Sequence, residues 1–161
     1  MIHIRHAGPM DARDMAELLN AIIRKGGSTA ITQEITRETI LDWFEQTPPN
    51  SIWHVAEDDT GAILGFQYVK PHAKLPPEAC DIATFVKLGT TGLGIGSKLF
   101  ETTKKAACDL GYGWINATIR ADNTGGLAYY QSRGFEDYAR LSNQKLCNGQ
   151  IVDKISKRYD L

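Results

Sequence analysis

The chain has almost no excess charge: 18 Lys and Arg stand against 19 Asp and Glu, a formal net charge of −1. Binders of nucleic acid or of anionic membrane surfaces need a basic surplus, so neither partner is expected. Cysteine is scarce. Cys80, Cys108 and Cys147 form no CxxC pair and have no histidine cluster beside them. That spacing argues against a structural metal site and against a disulfide framework, and no metal is expected. Scattered, odd-numbered thiols suit a reducing compartment, so the expected location is cytoplasmic. No apolar run approaches the roughly 20 residues that span a bilayer. The opening Met1-Ile2-His3-Ile4-Arg5-His6 also lacks the apolar stretch of a signal peptide.

A hydrophobic fraction of 42% and a charged fraction of 23% are those of an ordinary globular protein. No repeat, low-complexity tract or dividing linker interrupts the chain, so one domain over residues 1–161 is expected. Ile2 to Arg5 is a short β-prone stretch closed by Gly8-Pro9. Asp11 then offers a cap for a helix with Met15, Leu18, Leu19, Ile22 and Ile23 on one face, stopped at Gly26-Gly27. A second helix starts at Thr36 and carries Ile40, Trp43 and Phe44.

From Ser51 the apolar period changes to two. Ser51 to Glu57 and Ala62 to Lys70 read as strands joined by Asp59-Thr60-Gly61, an antiparallel hairpin. Asp81 to Val86 is a further strand, followed by a glycine-rich turn and a long helix marked by Ile95, Leu99, Ala106 and Leu110. Trp114 to Arg120 is the next strand. This β-loop-α-β crossover requires strands that start parallel. Asn123 to Arg133 reads as a short helix, with a first turn loosened by Gly125-Gly126, and two final strands flank Asn148-Gly149.

The chemistry gathers on Thr90-Thr91-Gly92-Leu93-Gly94-Ile95-Gly96-Ser97, between a strand and a helix. Alternate glycines let the backbone approach a ligand, and the first-turn N–H groups of the helix lie at the positive end of its dipole. Together they suit a pyrophosphate. A P-loop would need Gly-Lys-Ser/Thr, and the chain has Gly96-Ser97-Lys98. A dinucleotide fingerprint started at Gly92 would need glycine where Ser97 stands; started at Gly89, it would need glycine where Thr91 stands.

Gly92-x-Gly94-x-Gly96 resembles the acetyl-CoA motif of the GNAT superfamily of N-acetyltransferases, Gln/Arg-x-x-Gly-x-Gly/Ala, with Thr91 in place of the leading Gln or Arg. A second segment is similar in register: Asn123, Ala128 five residues on, Tyr130 seven on, then Gly134-Phe135. The resemblance implies an α+β (mixed α/β) fold. Its core is a central mixed, mostly antiparallel, twisted sheet of about seven strands with helices on both faces, splayed between the fourth and fifth strands. It also implies acetyl-CoA as co-substrate, held by Phe85, Val86, Thr91, Gly92, Leu93, Gly94, Ile95, Gly96, Ser97, Asn123 and Tyr130.

The implied reaction is direct attack of an amine on the thioester in a ternary complex. A backbone N–H near Phe85 and Val86 would face the thioester carbonyl. Tyr130 is expected to protonate the departing thiolate. The amine, with a pKa of ~10, must first lose a proton. Asp81, Glu34, His72 or a chain of waters could take it. The ending from Gln150 to Leu161 is loosely similar to the phosphinothricin and amino-acid acetyltransferase branch, so a small-molecule amine is the expected acceptor. Aminoglycosides, polyamines and protein N-termini stay open, and the two final strands offer a surface for a homodimer. Two alternatives stand beside this: a non-catalytic acyl-CoA sensor of the same fold, and a nucleotide-binding protein.

Overall fold

The protein, represented by a computed structural model, is described here over residues 1–90 and 93–161. Strand β1 (His3–His6) leads through a 3-10 turn at Pro9–Asp11 into helix α1 (Ala12–Lys25) and then α2 (Arg37–Gln46). Strands β2 (Ile52–Glu57), β3 (Ile63–Lys70) and β4 (Ala79–Val86) follow in succession. Helix α3 (Ile95–Asp109) crosses to β5 (Trp114–Arg120), and α4 (Thr124–Ser132) precedes the hairpin β6 (Glu136–Lys145) and β7 (Ile151–Asp160). The order in the single seven-stranded sheet is β1-β2-β3-β4-β5-β7-β6. Among the described residues β4 and β5 run parallel and the other neighbours are antiparallel. Among the described residues no helix is long and apolar enough to cross a membrane.

Local chemistry explains most element ends. Thr36 caps α2 by accepting the Thr39 N–H at 3.2 Å. Asp58 closes the β2–β3 turn by accepting the N–H groups of Thr60 and Ala62 at 2.9 and 3.1 Å. Asp11 departs from the expected role, because its backbone is itself helical and its side chain makes no cap bond to α1. Its carboxylate turns back instead, accepting from Arg5 at 2.8 and 2.9 Å and from the Gly8 N–H at 2.8 Å. The Arg5 guanidinium holds the Asp11 carboxyl below the usual carboxylate range.

The sheet carries a core on each face. On one, α1 and α2 bury Met15, Leu19 and Ile40 against Val55, Phe66 and Phe85. On the other, Phe100 of α3, Tyr130 of α4 and Phe135 share a cluster with Ile82 of β4 and Ile115, Ala117 and Ile119 of β5. Gly65 of β3 leaves room for Ile95 and Leu99 of α3. A Cβ there would lie 3.1 Å from Ile95 Cγ2 and 3.0 Å from the Phe85 carbonyl oxygen.

One feature of the sheet creates the site. β4 and β5 pair only at Ala79–Trp114, Cys80–Ile115 and Asp81–Asn116. Beyond those three positions the strands part, β4 staying on β3 as far as Val86 and β5 on β7 as far as Arg120. Their facing edges from Ile82 and Ala117 onward have no strand partner among the described residues.

Candidate active site

The opening between β4 and β5 is a cavity of about 350 Å³, walled by both strands, by α4 and by the loop of residues 28–31. The loop is tied down by two side chains from the far wall. Arg120, almost wholly buried, donates to the Thr29 carbonyl at 3.1 Å while Asp122 holds the rest of its guanidinium at 2.7 and 2.9 Å. Asn123 donates from Nδ2 to the Ser28 carbonyl at 2.9 Å and accepts the Gly126 N–H on Oδ1 at 3.0 Å.

That second bond makes Asn123 the cap of α4 and accounts for the glycine beneath it. A Cβ on Gly126 would fall 2.4 Å from Asn123 Nδ2, so only glycine lets the amide fold over the first turn. The turn is regular helix from Thr124, not loosened as the glycine pair suggested. The cap and the available space outweigh the poor helix propensity.

α4 presents Tyr129 and Tyr130 in succession. Tyr130, 6% exposed, lines the cavity, and its Oη lies 2.8 Å from Thr84 Oγ1 on β4. Burial pushes its phenol well above the ordinary tyrosine range, so the group holds its proton at neutral pH. Tyr129 reaches the other way and donates to the Gly96 carbonyl at 2.7 Å. Gly96 has to be a glycine for this contact: a Cβ would stand 2.7 Å from Tyr129 Cε1.

The α3 end of the site begins at Gly94, whose φ of 73° is left-handed and favours glycine. Leu93 is exposed, and Ile95 is buried in the core beside Leu99. Ser97 Oγ accepts from Arg133 Nη1. Residues 93–97 stand at the helix start beyond the cavity walls, joined to them through the Tyr129–Gly96 bond. Thr91 and Gly92, expected in the phosphate loop, lie outside the described residues.

Asp81 sits where β4 and β5 separate. Asn116 Nδ2 donates to its Oδ1 at 2.9 Å, and Tyr138 in turn donates to Asn116 Oδ1. Burial raises the Asp81 carboxyl above its usual range, against the opposing pull of the Asn116 bond and of His72 and Lys70. Asp81, Thr118 and Lys154 line both the opening and a second cavity of about 460 Å³ on the side of the β3–β4 loop and β6.

The fold therefore brings Asp81, Phe85, Val86, Asn123 and Tyr130 to one cavity. His72 faces the second cavity, with its Nδ1 accepting the Lys74 N–H at 3.0 Å. Glu34 joins neither. It is half exposed and pairs with Arg24 at 2.5 Å, because the chain carries that part of the α1–α2 connection back along α1. Thr84, Gln67, Arg120 and Lys154 were not expected from sequence, since each enters the site through strand register and not through a local motif.

A parallel pair opened after three residues, with a glycine-started helix on one side and a buried tyrosine against the gap, is the frame of the site. The sequence pattern of the acetyltransferase (GNAT) family matches residues 15–135, and the chain belongs to that family. YwnH of Bacillus subtilis (strain 168), whose name proposes a phosphinothricin acetyltransferase, is 24% identical over 160 residues, 98% of this chain and 94% of that protein. The phosphinothricin acetyltransferase (Pat) of Sinorhizobium meliloti, solved with AcCoA, superposes with a TM-score of 0.89 at 20% identity over 99% of this chain and 88% of that one. A ribosomal-protein-alanine N-acetyltransferase from Brucella melitensis superposes equally well, with a TM-score of 0.89 at 22% identity over 99% of both chains. At these identities the structural likeness is one of fold.

Proposed function

We propose that this acyltransferase moves an acetyl group from acetyl-CoA to the primary amine of a small molecule by direct transfer. The observation that carries the proposal is the opened β4–β5 pair, with Tyr130 and Asp81 both on the cavity it makes. Its residues fit the co-substrate. The free edges of β4 and β5 suit an extended polar chain, and the first-turn N–H groups of α3 suit its phosphates. When bound, acetyl-CoA supplies an acyl group activated as a thioester.

The side chains divide the proton work. Tyr130, held neutral by burial, gives its proton to the departing sulfur. Asp81, with its carboxyl raised toward neutrality, takes a proton from the incoming amine directly or through water. A backbone N–H of β4 near Phe85 and Val86 faces the carbonyl oxygen where negative charge develops. Lys154, at the junction of the two cavities, makes no ion pair among the described residues. A cation there favours an acceptor that carries an acid group beside its amine, over a polyamine or an aminoglycoside.

The test is thiol release from acetyl-CoA across a panel of amino acids, their amides, polyamines and aminoglycosides. The expected outcome is turnover with acid-bearing amines. Tyr130→Phe should lower kcat about 100-fold or more. Asp81→Asn should remove the low-pH limb of the rate profile, a limb lying above the ordinary Asp value of ~3.9. Unchanged kcat in both variants would overturn the assignment of roles. Acetyl-CoA binding without release on any amine would make the protein an acyl-CoA sensor instead.

A further inference from the structure

Four side chains form a continuous hydrogen-bonded line from the first turn of α3 to Tyr130. Tyr129 Oη donates its one proton to the Gly96 carbonyl at 2.7 Å. Toward any other partner that oxygen can only accept, and it accepts from Gln67 Nε2 at 3.2 Å. This fixes the Gln67 amide, with nitrogen toward Tyr129 and carbonyl oxygen away. The second proton of the same nitrogen goes to Thr84 Oγ1 at 2.8 Å. Thr84 Oγ1 and Tyr130 Oη stand 2.8 Å apart, where either hydroxyl can donate; accepting from Gln67 polarises the Thr84 hydroxyl and favours Thr84 as the donor. Gln67 thus sits at the centre of the line, one amide proton on Tyr129 and the other on the hydroxyl that meets Tyr130.

Gln67 is wholly buried, and its Oε1 has no hydrogen-bond partner among the described residues. A leucine or methionine would fill such a place on a core strand without stranding a carbonyl oxygen. All the hydrogen bonds of this side chain run through its nitrogen.

We propose that Gln67 and Thr84 are positioning residues that fix the direction of the Tyr130 hydrogen bond, turning the phenol proton toward the cavity. The inference rests on Tyr130 being the general acid. In the transfer step the amine nitrogen forms the new C–N bond and the C–S bond breaks with its electron pair on sulfur. The Tyr130 O–H proton passes to that sulfur. The phenolate left behind keeps the Thr84 hydroxyl as its donor until water returns a proton, while the proton lost by the amine leaves through Asp81 or water. Without Thr84 the phenol can rotate out of line, and its anion loses a charge-assisted hydrogen bond.

The experiment is a double-mutant cycle on kcat with Thr84→Val, Tyr130→Phe and the double variant, and with Thr84→Ser as the conservative rescue. Thr84→Val matches the shape of threonine but lacks the hydroxyl. It should lower kcat about tenfold or more and leave acetyl-CoA affinity by thermal titration within about threefold. Thr84→Ser should restore most of the rate. In the Tyr130→Phe background Thr84→Val should add less than about twofold, because no proton remains to be aimed. Losses that multiply in the double variant, or a silent Thr84→Val beside a damaged Tyr130→Phe, would overturn the positioning role alone. A silent Tyr130→Phe would overturn the general acid itself. Should Thr84→Val fail to fold, Gln67→Leu and Thr84→Ser carry the same cycle: a rate loss in Gln67→Leu that vanishes in the Tyr130→Phe background supports the line, and one that persists contradicts it.

Discussion

Asp81 shows what one buried carboxyl at the parting of two strands costs in stability. Burial raises its carboxyl above the unfolded value, so the folded state binds a proton more tightly than the unfolded chain does. The sign follows directly: the folded protein gains from Asp81 when it is protonated and loses that gain as pH rises through the raised value. Asp81→Asn keeps an oxygen to accept from Asn116 and removes the buried charge. Thermal melting should therefore find Asp81→Asn more stable than the parent by a few degrees at pH 7. The gap should close as pH falls below about 4, the ordinary Asp range. A variant less stable than the parent at pH 7 would contradict this. Asp81 and Tyr130 were legible in sequence, one at the head of the core strand and the other on the Asn123 helix. Thr84 and Gln67 were not. Their contact is a register pair between β3 and β4, and Tyr130 lies 46 residues beyond Thr84.

At the scale of elements, three glycines near the site differ in what a methyl group would meet. Gly96 would press on Tyr129 at 2.7 Å and Gly126 on Asn123 at 2.4 Å, while Gly125 is exposed with nothing nearer than 3.9 Å. Urea denaturation should find Gly96→Ala and Gly126→Ala destabilised by about 1–3 kcal/mol through overpacking. Gly125→Ala should be stabilised by about 0.5–1 kcal/mol, since alanine is the better helix former. Three equal effects would show that propensity, not space, governs these positions. The elements themselves were readable with ends within about two residues, because apolar period, caps and turns act locally. The regular first turn of α4 was not, because the reason for it is the Asn123 amide folded over Gly126. Nor was the turning of Asp11 toward Arg5, which depends on β1 lying beside the 3-10 turn.

At the scale of the whole molecule, the cavity comes from a parting of neighbouring strands in the sheet. Among the described residues six neighbouring pairs hold seven strands together, and the parallel pair is the one that opens. The crossover through α3 required strands that start parallel, so that pair was foreseeable from sequence; the walls of the opening were not, because tertiary contacts from Arg120 and Asn123 bring the loop of residues 28–31 there. The measurement that tests the central claim most directly is thermal-shift titration of the purified protein with acetyl-CoA, with NAD and ATP as controls. A ligand bound only by the folded state at about 100 times its Kd adds ~2.7 kcal/mol, which for a domain of this size corresponds to roughly 5–10 °C. A rise of that order with acetyl-CoA alone is the expected result. A flat curve with acetyl-CoA beside a rise with NAD or ATP would contradict the assignment of this cleft to an acyl-CoA.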